Sequence, residues 1–131
     1  MKPGSTPNDR AAAGITVSLI TVTHNSAETL RRCWGSSSLP EGVEWVGVDN
    51  ASADASASVA RELGAKVIEA GANLGFSAAN NLGLDHAQGG FIGFVNLDVV
   101  VEFDELAGLA AVARERGALV APQLLNADGT E

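Results

Sequence analysis

Asp98 closes an apolar run, Phe91-Ile92-Gly93-Phe94-Val95, and two valines follow it. A run of this kind, bounded by glycines, predicts a buried strand. A carboxylate buried there without a partner is costly, so Asp98 belongs at the end of the strand, where it emerges. A carboxylate at a strand's C-terminal edge has a use beside a divalent ion and phosphates, and in open α/β sheets that edge is where ligands bind. Three further polar clusters stand at comparable places: Thr23-His24-Asn25, Asp49-Asn50-Ala51-Ser52 and Asn73-Leu74-Gly75-Phe76. With Asn96-Leu97-Asp98 they make four polar endings after four apolar runs. In a doubly wound sheet such endings lie along one edge and converge on one crevice.

The elements that must position these clusters follow from the pattern. Ile15 to Thr23 alternates β-branched residues and predicts the first strand. Asn25, with Glu28 as reciprocal partner, predicts the cap of a helix carrying Ala27, Leu30 and Trp34 on one face. Val43 to Val48 is the second strand. Asp54 to Leu63 is a helix stopped by Gly64. Lys66 to Glu69 is a short third strand, and Ser77 to Gln88 a helix stopped by Gly89-Gly90. Phe91 to Leu97 is the fourth strand. Asp104 is expected to cap a helix with Leu106, Leu109 and Val112 inward, closed by Gly117. Leu119 to Leu125 reads as a fifth strand before a hairpin turn at Asn126-Ala127-Asp128-Gly129. Alternating strands and helices with short connections mean an α/β fold, a mainly parallel sheet with helices on both faces. Residues 1–13 read as a flexible leader and 14–131 as the folded part. A hairpin turn needs a return strand, so the chain reads as truncated within a larger domain.

The 131 residues fit one domain, and 46% hydrophobic residues supply a core. Sixteen acidic against eight basic residues give a net charge of −8 with no basic cluster beyond Arg31-Arg32, which excludes duplex nucleic acid as the expected partner. Arg31-Arg32 read as a solvated helix face. Cys33 is alone, so no disulfide or cysteine metal site is expected; a buried helix thiol is the plain reading. No apolar stretch is long enough to span a membrane and no signal-peptide pattern follows the N-terminus. A cytoplasmic protein fits these features. There is no G-x-G-x-x-G after the first strand and no G-x-x-x-x-G-K-[ST], which argues against a dinucleotide site and a P-loop NTPase.

Val22-Thr23-His24-Asn25-Ser26, Val48-Asp49-Asn50-Ala51-Ser52-Ala53-Asp54, Asn73-Leu74-Gly75-Phe76 through Asn81-Leu82-Gly83, and Asn96-Leu97-Asp98-Val99 together resemble glycosyltransferase family 2. These are the nucleotide-diphospho-sugar transferases of the Rossmann-like GT-A fold, and the likeness is greatest to the rhamnosyltransferase-like branch. The resemblance covers nearly the whole chain from Ile15. It implies an inverting transfer of a sugar from a nucleoside-diphosphate-sugar donor to a hydroxyl of a glycan or lipid-linked acceptor in cell-envelope glycan synthesis. The alternative is a non-catalytic or truncated nucleotide-sugar-binding module. The implied location is the cytoplasm or the inner face of the membrane; separately, the missing return strand is expected to leave an exposed sheet edge open to self-association.

The implied site residues are Thr23, Asn25, Asp49, Asn73, Gly75, Asn81 and Asn96 for the nucleotide sugar and Asp98 for Mn²⁺ or Mg²⁺. Asp49 would accept a hydrogen bond from a base N–H, since a carboxylate is an acceptor-only group; an Asx-type turn is its other reading. For Asp54 a helix cap is favoured over a ligand contact. Asn73-Leu74-Gly75 either approaches the ribose and phosphates or is an ordinary turn with Phe76 packed under it. Asn81 matches a family asparagine and could equally face solvent. Asp98 otherwise caps a turn. Asn96 stands where a strict D-x-D motif has its first acid, and Leu97 where proline is frequent. His24 reads as a stacking or packing residue, His86 as a surface residue, and Trp34 and Trp45 as core aromatics. The family's catalytic base lies in its C-terminal half, so it is expected beyond Glu131; neither Asp128 nor Glu131 is assigned that role.

Overall fold

The β-branched run at the start of the chain forms β1, Val17–Thr23, buried on both faces except at Val22. A central strand covered on both sides has this pattern. A computed structural model describes residues 14–36 and 38–122. β2 is Val43–Asp49, β3 Lys66–Glu69 and β4 Phe91–Phe94, and the helices are α1, Ala27–Trp34, α2, Ser56–Glu62, and α3, Phe76–His86. All three strand pairings are parallel, and the order is β3-β2-β1-β4. The chain therefore winds outward through β2 and β3, then crosses back to place β4 on the far side of β1. The reversal between β1 and β4 is the topological switch point at which open α/β sheets bind ligands.

Side-chain alternation divides the core between the two faces of the sheet. Ile20 and Val46 are fully buried in a cluster with Ala87, Leu84, Ile68 and Ile92, on the face covered by α3. The helix lies so close that a Cβ at Gly83 would meet Ile20 Cγ2 at 2.6 Å and Val48 Cγ2 at 3.0 Å; only glycine permits this approach. Leu19 and Trp45 pair across β1 and β2 on the opposite face. There the Trp45 ring stacks on Trp34 of α1, with centroids 4.4 Å apart and planes inclined 16°. Helices thus cover both faces, and both tryptophans are core residues, as expected. Cys33 is a buried free thiol, and Arg31, Arg32 and His86 are exposed.

Several local expectations fail. α1 is not closed by a capping box: Ser26 is the N-cap and makes no side-chain cap bond. Asn25 cannot fill that role because it adopts a left-handed conformation, φ 49°, and its side chain bonds elsewhere. β4 ends at Phe94 rather than Leu97, because Asn96 O accepts from Val99 N and turns the chain. The described residues from 102 on belong to a separate compact unit. In it Asp104 lies inside a 3₁₀ turn, Phe103–Glu105, and α4, Leu106–Arg116, begins after Glu105 instead of being capped by Asp104. Leu106 and Leu109 are half-buried but Val112 is exposed. Gly117 closes α4 in the left-handed conformation, as expected. The expected fifth strand does not form over residues 119–122; its remainder and the 126–129 turn lie outside the described residues, as does the leader. Among the described residues no helix is long and apolar enough to cross a membrane.

Candidate functional site

Parallel register sets Thr23 beside Asp49 at the C-terminal ends of β1 and β2. Both are buried, Asp49 to 6% exposure. Asp49 Oδ2 accepts a hydrogen bond from Ser52 N at 3.1 Å, so the Asx-type turn exists. That turn occupies one oxygen only. Asp49 Oδ1 and Thr23 Oγ1 are buried and have no hydrogen-bond partner. An unpaired buried carboxylate oxygen costs more than an ordinary hydrogen bond returns, and such a group calls for a functional account. The two residues are register partners, so one strand end carries a spare acceptor-only oxygen and its neighbour a spare hydroxyl that can donate or accept. That pair is suited to an N–H with an adjacent carbonyl, the pattern on the edge of a lactam or imide base.

The loops after β1 and β2 hold each other. Asn25 N donates to Ser52 Oγ at 2.9 Å, and Asn25 Oδ1 accepts from Ala53 N at 2.7 Å. Asn25 Nδ2 lies 3.3 Å from His24 Nε2, and His24 Nδ1 lies 2.8 Å from Asn50 O. A carbonyl only accepts, so the network assigns the proton to Nδ1 and makes Nε2 the acceptor. His24 is thus a hydrogen-bonded loop residue rather than a packed one. Asn25, expected at the ligand, has its amide oxygen committed to the loop clasp. Ala51 is held at φ 61° between these contacts, a conformation disfavoured for a residue with a Cβ.

Asp54 stands one residue before the N-cap of α2, Ala55, rather than at the cap itself, yet its carboxylate braces two helix starts. Oδ2 accepts from Ala27 N at 3.3 Å, and Oδ1 from Ser56 N at 2.9 Å and from the Ser56 hydroxyl. The Ser56 hydroxyl, the largest influence, with backbone N–H groups, holds the Asp54 carboxyl below its ordinary value of 3.8. Buried Ser56 also accepts from Ser26 N at 2.8 Å.

The loop after β3 reaches the same place. Asn50 Nδ2 donates to Asn73 Oδ1 at 2.9 Å, and Asn50 Oδ1 accepts from Leu74 N at 2.7 Å. Asn73 Oδ1 also accepts from Gly75 N at 3.0 Å, so this oxygen serves the loop itself. Gly75 has φ 81° and ψ 169°, a region essentially closed to other residues, and it delivers the chain into the first turn of α3. The N-terminus of α3 therefore lies at the sheet's C-terminal edge, where its free N–H groups and dipole favour negative charge. Phe76 is exposed, which overturns the reading that packed it beneath this turn. Asn81 is exposed on α3 and lines a shallow depression of about 280 Å³ with Phe76, Ser77, Asn80 and Phe94.

On the β4 side Asn96 and Asp98 are exposed. Their turn is fixed from beneath: Trp34 Nε1 donates to Leu97 O at 2.9 Å, and Leu97 is buried. The Trp34–Trp45 stack thus supports the Asp98 turn, a link that the sequence reading missed. No group of three or more acidic, histidine or cysteine side chains that could hold a metal occurs among the described residues. Asp98 by itself is one hard oxygen donor. It fits Mn²⁺ or Mg²⁺ only where phosphate oxygens complete the coordination, a combination such ions favour.

The model of glycosyl transferase family 2 matches residues 18–130. The chain belongs to glycosyl transferase family 2. Among solved structures it is similar to the mannosyltransferase PcManGT from Pyrobaculum calidifontis in complex with GDP-Man and Mn²⁺. The sequences are 26% identical and the TM-score is 0.65; the match covers 74% of this chain and 32% of that one. The chain thus spans about a third of the length of that transferase. The parallel sheet and its switch point are those of the GT-A fold. Among curated protein sequences none matches the chain at a significant level.

Proposed function

We propose that this chain binds the nucleoside-diphosphate part of a sugar donor and forms the donor half of an inverting glycosyltransferase. The observation that carries the reading is the unpartnered oxygen of Asp49, whose register partner Thr23 has an unpartnered hydroxyl, at the C-terminal edge of the sheet. Asp49 would accept the base N–H. The loop Asn73 to Gly75 and the α3 N-terminus would face the ribose and phosphates, with Asn81 and Asn96 at their border. Asp98 would hold Mn²⁺ or Mg²⁺ together with the diphosphate. When bound, such an ion offsets charge on the leaving diphosphate. PcManGT, with GDP-Man and Mn²⁺ in its complex, supports the ligand class and the use of a divalent ion.

The transfer of the sugar to a glycan or lipid-linked hydroxyl, the rhamnosyltransferase-like branch, a role in cell-envelope glycan synthesis at the cytoplasmic side and self-association along the outer edge of β4 belong to the same proposal. None of the chain's carboxylates is assigned the role of catalytic base. The second reading is a binding module without transfer. Calorimetric titration with UDP, dTDP and GDP, with and without Mn²⁺, tests the proposal: one diphosphate binds in preference and Mn²⁺ tightens it. No binding of any of the three would sink it.

A further inference from the structure

Asn50 lies outside the residues that would touch the donor, yet three loops meet on it. It is 4% exposed. Its N–H donates to Thr23 O at 2.8 Å, and its carbonyl accepts from His24 Nδ1. Its side-chain amide spans to the third loop, to Asn73 Oδ1 through Nδ2 and to Leu74 N through Oδ1. Asn73 Oδ1 accepts from Gly75 N in turn, so the amide of Asn50 holds the segment that delivers the chain into α3. Asp49 is the preceding residue. The same short stretch of backbone therefore carries the free carboxylate oxygen and the anchor of the phosphate-side loop.

We infer that Asn50 is a positioning residue that couples the two halves of the donor site: its amide fixes the Asn73–Gly75 loop at a set distance from Asp49. The inference rests on the proposed function. Its physical content is that phosphate affinity depends on where the loop is held, whereas base recognition depends on Asp49 and Thr23. Both bonds of the Asn50 side chain point to the loop, and neither goes to Asp49. Loss of the amide should release the loop and leave the base-reading oxygens in place.

The test measures the gain in affinity from nucleoside to nucleoside diphosphate for the wild type and for Asn50→Ala. The expected result is a gain at least tenfold smaller in the variant, with nucleoside affinity within about twofold of wild type. Asn73→Ala, at an exposed position, provides a second variant should Asn50→Ala fold poorly. It should lower the same ratio, and the double variant should lose no more than the larger single loss, because contacting residues on one path are not additive. Hydrogen exchange should show the Leu74 and Gly75 amides deprotected in Asn50→Ala. A uniform loss of nucleoside and diphosphate affinity, or an unchanged ratio with those amides deprotected, would overturn the inference and leave the donor reading standing. A wild-type chain that binds no nucleotide would instead overturn the donor reading, and this inference with it.

Discussion

The two sides of the switch point are built differently. On the β2 side Asp49, Asn50 and Ser56 are buried, and hydrogen bonds join the loops after β1, β2 and β3. On the β4 side Asn96 and Asp98 are exposed on a turn held from below by Trp34. The first side is held together before any ligand arrives, but Asp49 Oδ1 is covered, so a base would reach it only as its cover shifts. The second side offers a single carboxylate whose use depends on a ligand that brings its own oxygens. A site of this kind should take the metal only together with the diphosphate.

The contrast is broken most directly at Asp49. Asp49→Asn keeps an oxygen for Ser52 N but presents an N–H where the free acceptor stood. Nucleoside-diphosphate affinity should fall roughly 10- to 100-fold, the range of a lost hydrogen bond to a charged group. Calorimetry with thermal unfolding checks it: affinity falls while the melting temperature holds. Unchanged affinity would make Asp49 a turn residue only. On the open side, Asp98→Ala should weaken binding at least tenfold, about 1.4 kcal/mol, with Mn²⁺ present. Without metal the same variant should bind as well as wild type or slightly better, since a like charge leaves the diphosphate's surroundings. Equal loss with and without Mn²⁺ would count against the metal role.

A smaller effect is expected one step back from the turn. Trp34→Phe keeps a ring on Trp45 but leaves Leu97 O unpaired. It should cost about 1 kcal/mol of stability and about threefold in Mn²⁺-dependent affinity. Metal-free affinity should not move. The smallest effect concerns Asp54, whose folded pKa is lowered. Its contribution is present above the unfolded value of 3.8 and is lost as pH falls through the lower folded value. Asp54→Asn should therefore flatten the acid limb of the melting curve below about pH 4 and leave its slope near neutrality unchanged. An acid limb identical to wild type would remove Asp54 from the account.

How much was legible in the sequence follows the same divide. β3 was read to the residue because its four-residue run stands between Gly64 and Gly71, and α2's stop at Gly64 is a local signal. The four polar endings were legible because each is a contiguous cluster after an apolar run. Partners distant in the chain were not. Asn25 looks like a helix cap in isolation, but Ala53, 28 positions on, claims its oxygen. Nothing near Asn50 announces that it anchors a loop 23 residues away, and nothing near Trp34 announces Leu97. The expected extension of β4 to Leu97 failed for a related reason: apolar composition continues, but the Asn96 turn ends the pairing. Register also explains why Asp49 admitted two readings. The turn reading is met by one oxygen, and the other oxygen has no partner, which leaves the ligand reading open to the tests above.

The central claim is that the free oxygen of Asp49 accepts a hydrogen bond from a base N–H. It can be tested from the ligand's side by comparing each nucleoside diphosphate with its counterpart methylated at that nitrogen, N3 of uracil or thymine and N1 of guanine. Calorimetry on the wild type and on Asp49→Asn closes the cycle. The account predicts that the wild type prefers the unmethylated diphosphate by at least tenfold, about 1.4 kcal/mol, and that Asp49→Asn discriminates far less. Equal affinity of the wild type for the methylated and unmethylated forms would contradict it.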